Sequence, residues 1–248
     1  VVGLVGSEMC IRDSASAQTK QTISLPSGKV PLPVLREVVN QMAPYAENAP
    51  HAVLNLSRSL WQQPLMESRQ LAAMLVGKLP ASQIEQTLQT VEDWAKDNHE
   101  DRLLESLAGK SLRIIEQEVP EALLERIQAW LAPDDDSLSD SQRRNLLKLG
   151  LSALVPIASD RNFENLPRIY TLLAPHISGA PKSLRPYLLD VLLPLARRSP
   201  QEVAFILRSE LTENHNPQAV WLARRTMDAL PEENRERLRG LVGQRKRE

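Results

Sequence analysis

Cysteine occurs once in the 248 residues, as Cys10, and glycine only 9 times. Aromatic residues make up 4 % of the chain, and the acidic and basic side chains nearly cancel, 31 against 30. Each scarcity excludes something. One cysteine forms no internal disulfide and no thiolate zinc centre. No apolar run approaches the ~18 residues that a membrane-spanning helix needs. A balanced charge exerts no global pull on nucleic acid or an anionic membrane, so any such binding must come from a local patch. Gly28-Lys29 lacks the glycine-rich loop that cradles a phosphate, and neither G-x-G-x-x-G nor G-x-S-x-G occurs. The histidines, His51, His99, His176 and His215, are far apart and form no metal-ligand pair. No cofactor, no metal and no membrane is therefore expected, no reaction is legible in motifs of this kind, and the expected location is the cytoplasm.

The first fourteen residues, Val1 to Ser14, resemble translated read-through of a sequencing adapter and are set apart from the fold. A signal peptide ending at Ala15-Ser16-Ala17 is the other reading. Against it, the apolar part (Val1 to Val5) is short, and Glu8, Arg12 and Asp13 follow. Without Cys10 the chain has no cysteine, and without those three charges it holds 29 basic and 29 acidic residues. Residues 15–30 are polar and read as a disordered leader, and 31–248 as one domain.

What is abundant is helix-forming. Leu, Ala, Arg and Glu dominate the segments between prolines. Val, Ile, Thr and Tyr never alternate with polar residues for long enough to make a strand. The pattern predicts helices at 33–43, 49–61, 64–79, 82–97, 100–117, 120–132, 140–158, 164–176, 182–198, 200–211, 217–229 and 231–243. Ser82 to Glu85 and Ser199 to Glu202 read as capping boxes, and Asn216-Pro217 as a capped start. Pro44, Pro80, Pro120 and Pro133 fall in the breaks. Leu71, Leu75 and Leu79 share one face, as do Leu184, Leu188, Val191 and Leu195. The acidic stretch 132–140 is the longest connection.

An arginine recurs before a leucine-rich run at Arg69, Arg102, Arg144, Arg185 and Arg224, at intervals of 33, 42, 41 and 39 residues. That period fits two-helix HEAT units, and the expected fold is an all-α solenoid, a right-handed superhelix of about 12 helices. A compact helical bundle is the alternative. Stacking would align equivalent arginines, so Arg69, Arg102, Arg143, Arg144, Arg197, Arg198, Arg224 and Arg225 are candidates to track a phosphate backbone. The same arginines pairing with neighbouring carboxylates is the plainer reading. Glu92, Asp93, Asp97, Glu100 and Asp101 read chiefly as a solvated acidic face, and Trp61, Trp94, Trp130 and Trp221 as packing residues.

The stretch Leu60-Trp61-Gln62-Gln63-Pro64-Leu65-Met66-Glu67-Ser68-Arg69-Gln70-Leu71-Ala72-Ala73 resembles the opening of the HEAT-repeat DNA alkylation repair proteins. The similarity extends through Pro120-Glu121, Gln142-Arg143-Arg144 and Leu195 to Pro200. The resemblance implies excision of cationic alkylated purines. An aspartate stabilises the positive sugar, two tryptophans hold the deoxyribose and an arginine grips the phosphate. Here the first tryptophan is missing and the aspartate position falls at about Leu104. Asp101 and Glu105 are the nearest candidates for the carboxylate. The second tryptophan falls near Val191, and the arginine is Arg144 or Arg143. The resulting expectation is a DNA-binding relative of these glycosylases without robust activity. The alternatives are a protein-interaction scaffold and a glycosylase with a relocated carboxylate.

Overall fold

The computed structural model describes residues 30–98, 100–179, 181–212 and 217–244. The adapter-like segment, the expected leader apart from Val30, His99 and Asn216 lie outside the described residues. Among those described, the chain is all-helical, with thirteen α-helices and no strand. These are α1 (Leu32–Asn48), α2 (Pro50–Trp61), α3 (Met66–Val76), α4 (Ile84–Lys96), α5 (Asp101–Ser106), α6 (Arg113–Glu118) and α7 (Pro120–Leu131). There follow α8 (Asp140–Ser159), α9 (Leu166–Gly179), α10 (Arg185–Arg198), α11 (Pro200–Thr212), α12 (Pro217–Thr226) and α13 (Glu232–Gln244).

Proline places several of these boundaries. Three corners turn on one residue each, Ala49, Val119 and Ser199, at φ −142, −143 and −143 and ψ 58, 58 and 64. Each precedes a proline that opens the next helix. The proline ring disfavours the helical conformation in its predecessor, and at these corners one residue ends one helix and the next starts another. Ser139 and Gln142 form a capping box at the start of α8, which the sequence reading missed.

Three expectations are corrected. Pro44 does not break a helix but lies inside α1, which runs on to Asn48, whose side-chain amide donates to the Pro44 carbonyl at 2.8 Å. Ser82 caps nothing: a 3-10 turn over Ala81–Gln83 sets the start of α4 beyond it, so Ser82 and Glu85 do not stand in a box register. The expected helix 100–117 is interrupted by a π-turn, Leu107–Ser111, between α5 and α6, which raises the expected twelve helices to thirteen. That turn packs on α3, where the Ser111 hydroxyl donates to the Ala73 carbonyl at 2.8 Å. A Cβ on Gly77 would lie 1.8 Å from the Lys110 carbonyl oxygen, so only glycine allows this approach.

The helices pack in two rows. In the first, α3, α5, α8, α10 and α12 each touch the next. In the second, α4, α7, α9 and α11 are tied side chain to side chain. Arg126 of α7 meets Glu85 and Glu92 of α4, Arg168 of α9 donates to Gln128 of α7, and Ser178 of α9 donates to Glu210 of α11 at 2.6 Å. Between the rows a hydrophobic core runs from Leu35 to Val242. Trp130 is fully buried, and Trp61 stacks on Trp94 at 4.4 Å and 3° between planes. The expected acidic face is only partly solvated, because Glu92 is a cross-link. It accepts from Lys96 at 2.7 Å, Arg126 at 3.1 Å and the Trp130 indole at 3.0 Å.

Burial raises the Glu92 carboxyl, but the bonds from Lys96 and Trp130 and the charges of Lys96 and Arg126 outweigh it, leaving it below its ordinary value of 4.5. A carboxyl held low stabilises the fold fully above its unfolded value and loses that contribution as pH falls through the folded one. Glu92→Ala should therefore destabilise the protein by roughly 2 kcal/mol at neutral pH. In urea titrations the gap to the unmodified protein should narrow once the pH drops below the ordinary 4.5. An equal gap at both pH values would mean that Glu92 acts by packing alone.

Candidate functional site

Where α5, α8 and α10 lie side by side, a cavity of about 530 Å³ opens between them, lined by Glu105, Gly109, Ser152, Tyr187, Asp190 and Arg197 among others. Helical spacing explains the set. On α8, Arg144, Lys148 and Ser152 recur every four residues, as Asp101 and Glu105 do on α5, which puts each series on one face. Lys148 links the three helices: its Nζ bonds Asp101 at 2.6 Å and lies 5.6 Å from the centre of the Tyr187 ring.

The electrostatics are acidic at the centre. Burial pushes the Tyr187 phenol up, and the carboxylates of Asp101, Glu105 and Asp190 push it further, so the ring keeps its hydroxyl proton. Burial also raises the Asp190 carboxyl. A negative charge there is under-solvated, and a cation brought into the cleft would relieve it. Pro156 and Pro194, both on the lining, lack the N–H that would bond the carbonyls of Ser152 and Asp190. The cleft is thus rich in acceptors.

The structure separates the sequence candidates. Asp101 is ion-paired with Lys148, and Glu105 lines the cleft. Leu104 and Val191, the positions at which the resemblance sets an aspartate and a tryptophan, are both buried in the core. Of the arginines, Arg197 lines the cleft, Arg144 shares the face of Lys148, and Arg102 is exposed on α5. Arg224 and Arg225 are exposed on α12, and Arg225 lies 5.6 Å from the centre of the Trp221 ring. Three others are bound to backbone. Arg198 donates to the Ala158 and Phe163 carbonyls at 3.0 and 2.5 Å. Arg143 donates to those of Pro133 and Asp135 at 3.0 and 2.6 Å. Arg69 donates to Trp61 and Gln63, both at 3.1 Å, over the Trp61 ring and beside a separate cavity. Sequence reasoning missed Lys148, Tyr187 and Asp190. The four-residue spacing of Lys148 from Arg144 was the one signal that could have found any of them.

Among the described residues no group of His, Cys, Asp or Glu is placed to hold a metal ion. No helix of those residues is long and apolar enough to cross a membrane.

The described residues thus form an all-helical array with a charged cleft, and the family follows from comparison. The family model described as DNA alkylation repair enzyme matches residues 27–172. The chain belongs to that family. No curated protein and no solved structure matches it. The matched stretch contains Asp101, Glu105 and Lys148, while Tyr187, Asp190 and Arg197 come from beyond it.

The geometry separates two adjacent arginines. Arg198→Ala strips donors from the carbonyls of Ala158 and Phe163 and should lower unfolding free energy by roughly 2 kcal/mol or more. Arg197→Ala should stay within about 0.5 kcal/mol of the unmodified protein. Chemical denaturation of both checks this, and equal losses would refute the distinction.

Proposed function

We propose that this protein binds duplex DNA across the face formed by α5, α8 and α10, with the two rows read as HEAT-type helix pairs. The single observation that carries the reading is the cleft itself, lined both by Glu105, which lies within the family-matched stretch, and by Arg197. Arg144 on α8 and Arg102 on α5 are exposed cations on the helices that form this face. Guanidinium groups suit phosphate oxygens, and an acidic floor suits a cationic base or sugar between those phosphates.

Binding comes before excision in this reading because no tryptophan is among the residues that line the cleft. Nothing there takes the place of the paired indoles that hold the deoxyribose in the resemblance. One observation favours the second reading, a glycosylase with a relocated carboxylate: Glu105 and Asp190 both line the space where a developing positive sugar would sit. The scaffold reading, with a protein partner on this face, is the outcome left if DNA does not bind.

The test is titration of the protein with a short duplex carrying an abasic-site mimic, over a range of salt. Log K should fall with log salt at a slope of several units. Arg144→Ala and Arg197→Ala should each reduce that slope by about one. Glu105→Gln should leave binding within about twofold, since a neutral amide loses no phosphate contact. If it also abolishes release of N7-methylguanine from methylated DNA, excision runs through Glu105. Absence of binding at the lowest salt sinks the DNA reading.

A further inference from the structure

A second cavity, of about 590 Å³, adjoins the cleft and has the opposite charge. It is bounded by α1, the end of α3, the π-turn and α6. Its charged lining residues are Arg36, Lys78, Lys110 and Arg113, with the amide side chains of Asn40 and Gln117 beside them. No carboxylate is among its lining residues. Glu37, on α1, accepts from Gln41 and does not line the cavity. Glu116, which feels the charge of Arg113, does not line it either. Four like charges on one concavity repel one another. Lys110 registers the cost, since burial and the neighbouring Arg36 charge both push its ammonium below the ordinary lysine value.

The fold holds this arrangement deliberately close. The π-turn widens the chain between α5 and α6, and the bare backbone of Gly77 admits its Lys110 carbonyl. Gly109 lines both this cavity and the acidic cleft, and a Cβ built on it meets nothing within 4 Å. The two cavities thus share Gly109 as a lining residue, with open space on its Cβ side. The cationic side presents hydrogen-bond donors, two guanidinium forks and two ammonium groups, that match an acceptor-only tetrahedral anion.

We propose that Arg36, Lys78, Lys110 and Arg113 form a phosphate-binding cup that holds a backbone phosphodiester of the DNA whose damaged or abasic nucleotide lies over the acidic cleft. This rests on the DNA-binding reading and adds to it a second anchor, on the α1–α3 side of Gly109. The strand crosses Gly109, with its phosphate in the cup and its sugar and base toward Glu105 and Asp190. The lone positive lining group of the cleft, Arg197, thereby gains a partner site on the opposite flank.

The experiment measures binding of the whole protein to the same duplex against salt, with Lys110→Gln/Arg113→Gln from one wall of the cup and Arg36→Gln/Lys78→Gln from the other. Each pair should reduce the salt slope by about two and weaken low-salt binding by about tenfold. Lys78→Arg and Lys110→Arg, which keep the charge, should retain the slope. Thermal unfolding of each variant shows that the fold survives, and either wall suffices if the other variant is unstable. If both pairs keep the full slope while Arg144→Ala and Arg197→Ala still reduce it, the cup is overturned and DNA binding stands. If the unmodified protein does not bind the duplex, both fall. If inorganic pyrophosphate binds and the duplex does not, the cup takes a free phosphate and its assignment to DNA is overturned.

Discussion

The last carbonyls of an α-helix have no partner within the helix, and at several helix ends in this protein they are bonded by side chains from helices that follow. Arg69 of α3 bonds the Trp61 carbonyl at the end of α2, and Asn145 of α8 bonds those of Ala95 and Asn98 at the end of α4. Arg198 of α10 does the same for Ala158 of α8, Gln218 of α12 for His176 and Ile177 of α9, and Arg235 of α13 for Met227 after α12. The usual device is a glycine in the left-handed conformation just past the helix. A chain with 9 glycines has few to spend in this way, and it uses long donors instead. Each bond also fixes one helix against another. Capping and stacking are therefore the same interaction, and a cationic donor at a helix C-terminus gains from the dipole as well.

The cleft depends on this arrangement. Arg198 anchors α10 to the end of α8, and Asn145 anchors α8 to the loop before α5. With the three helices registered, Glu105, Lys148, Tyr187 and Asp190 come together from positions far apart in sequence. Lys148 is then the centre of the local balance, bonded to Asp101 and set against the Tyr187 ring. Removing its charge would leave the carboxylates of Asp101, Glu105 and Asp190 around one buried phenol with no cation on the Tyr187 ring.

Much of the fold was legible because helix starts and apolar stripes are local signals. The prolines at 50, 120, 200 and 217 open helices as their fixed φ requires. The π-turn was not legible, since residues 100–117 carry one continuous amphipathic pattern and the interruption comes from the approach of Gly77. The arginines were legible as a period but not as roles. A guanidinium four or five bonds from the backbone reaches either solvent or a carbonyl of the preceding helix, and only tertiary contact decides between them. So Arg198 and Arg197, adjacent in sequence, part company in space. The resemblance sets an aspartate at about Leu104, and its neighbour Glu105 lines the cleft. On a helix one residue is about 100° of rotation, enough to exchange buried Leu104 for Glu105 in the cleft.

A near-zero net charge argued against a polyanionic partner, but that inference holds only if charge is evenly spread. Here it is sorted. Acidic groups gather in the cleft of α5, α8 and α10, while the charged residues that line the adjoining cavity beside α1 and α3 are all cations. Within a Debye length of ~8 Å at physiological salt, a strand bound as proposed would respond to these local fields and not to their sum. A DNA lesion is itself sorted in the same sense, positive at an alkylated base and negative at the phosphates on either side. In the proposed complex the complementarity lies in the order of the charges along the surface, and an excess of cations over the whole chain would add affinity for any DNA without adding that order.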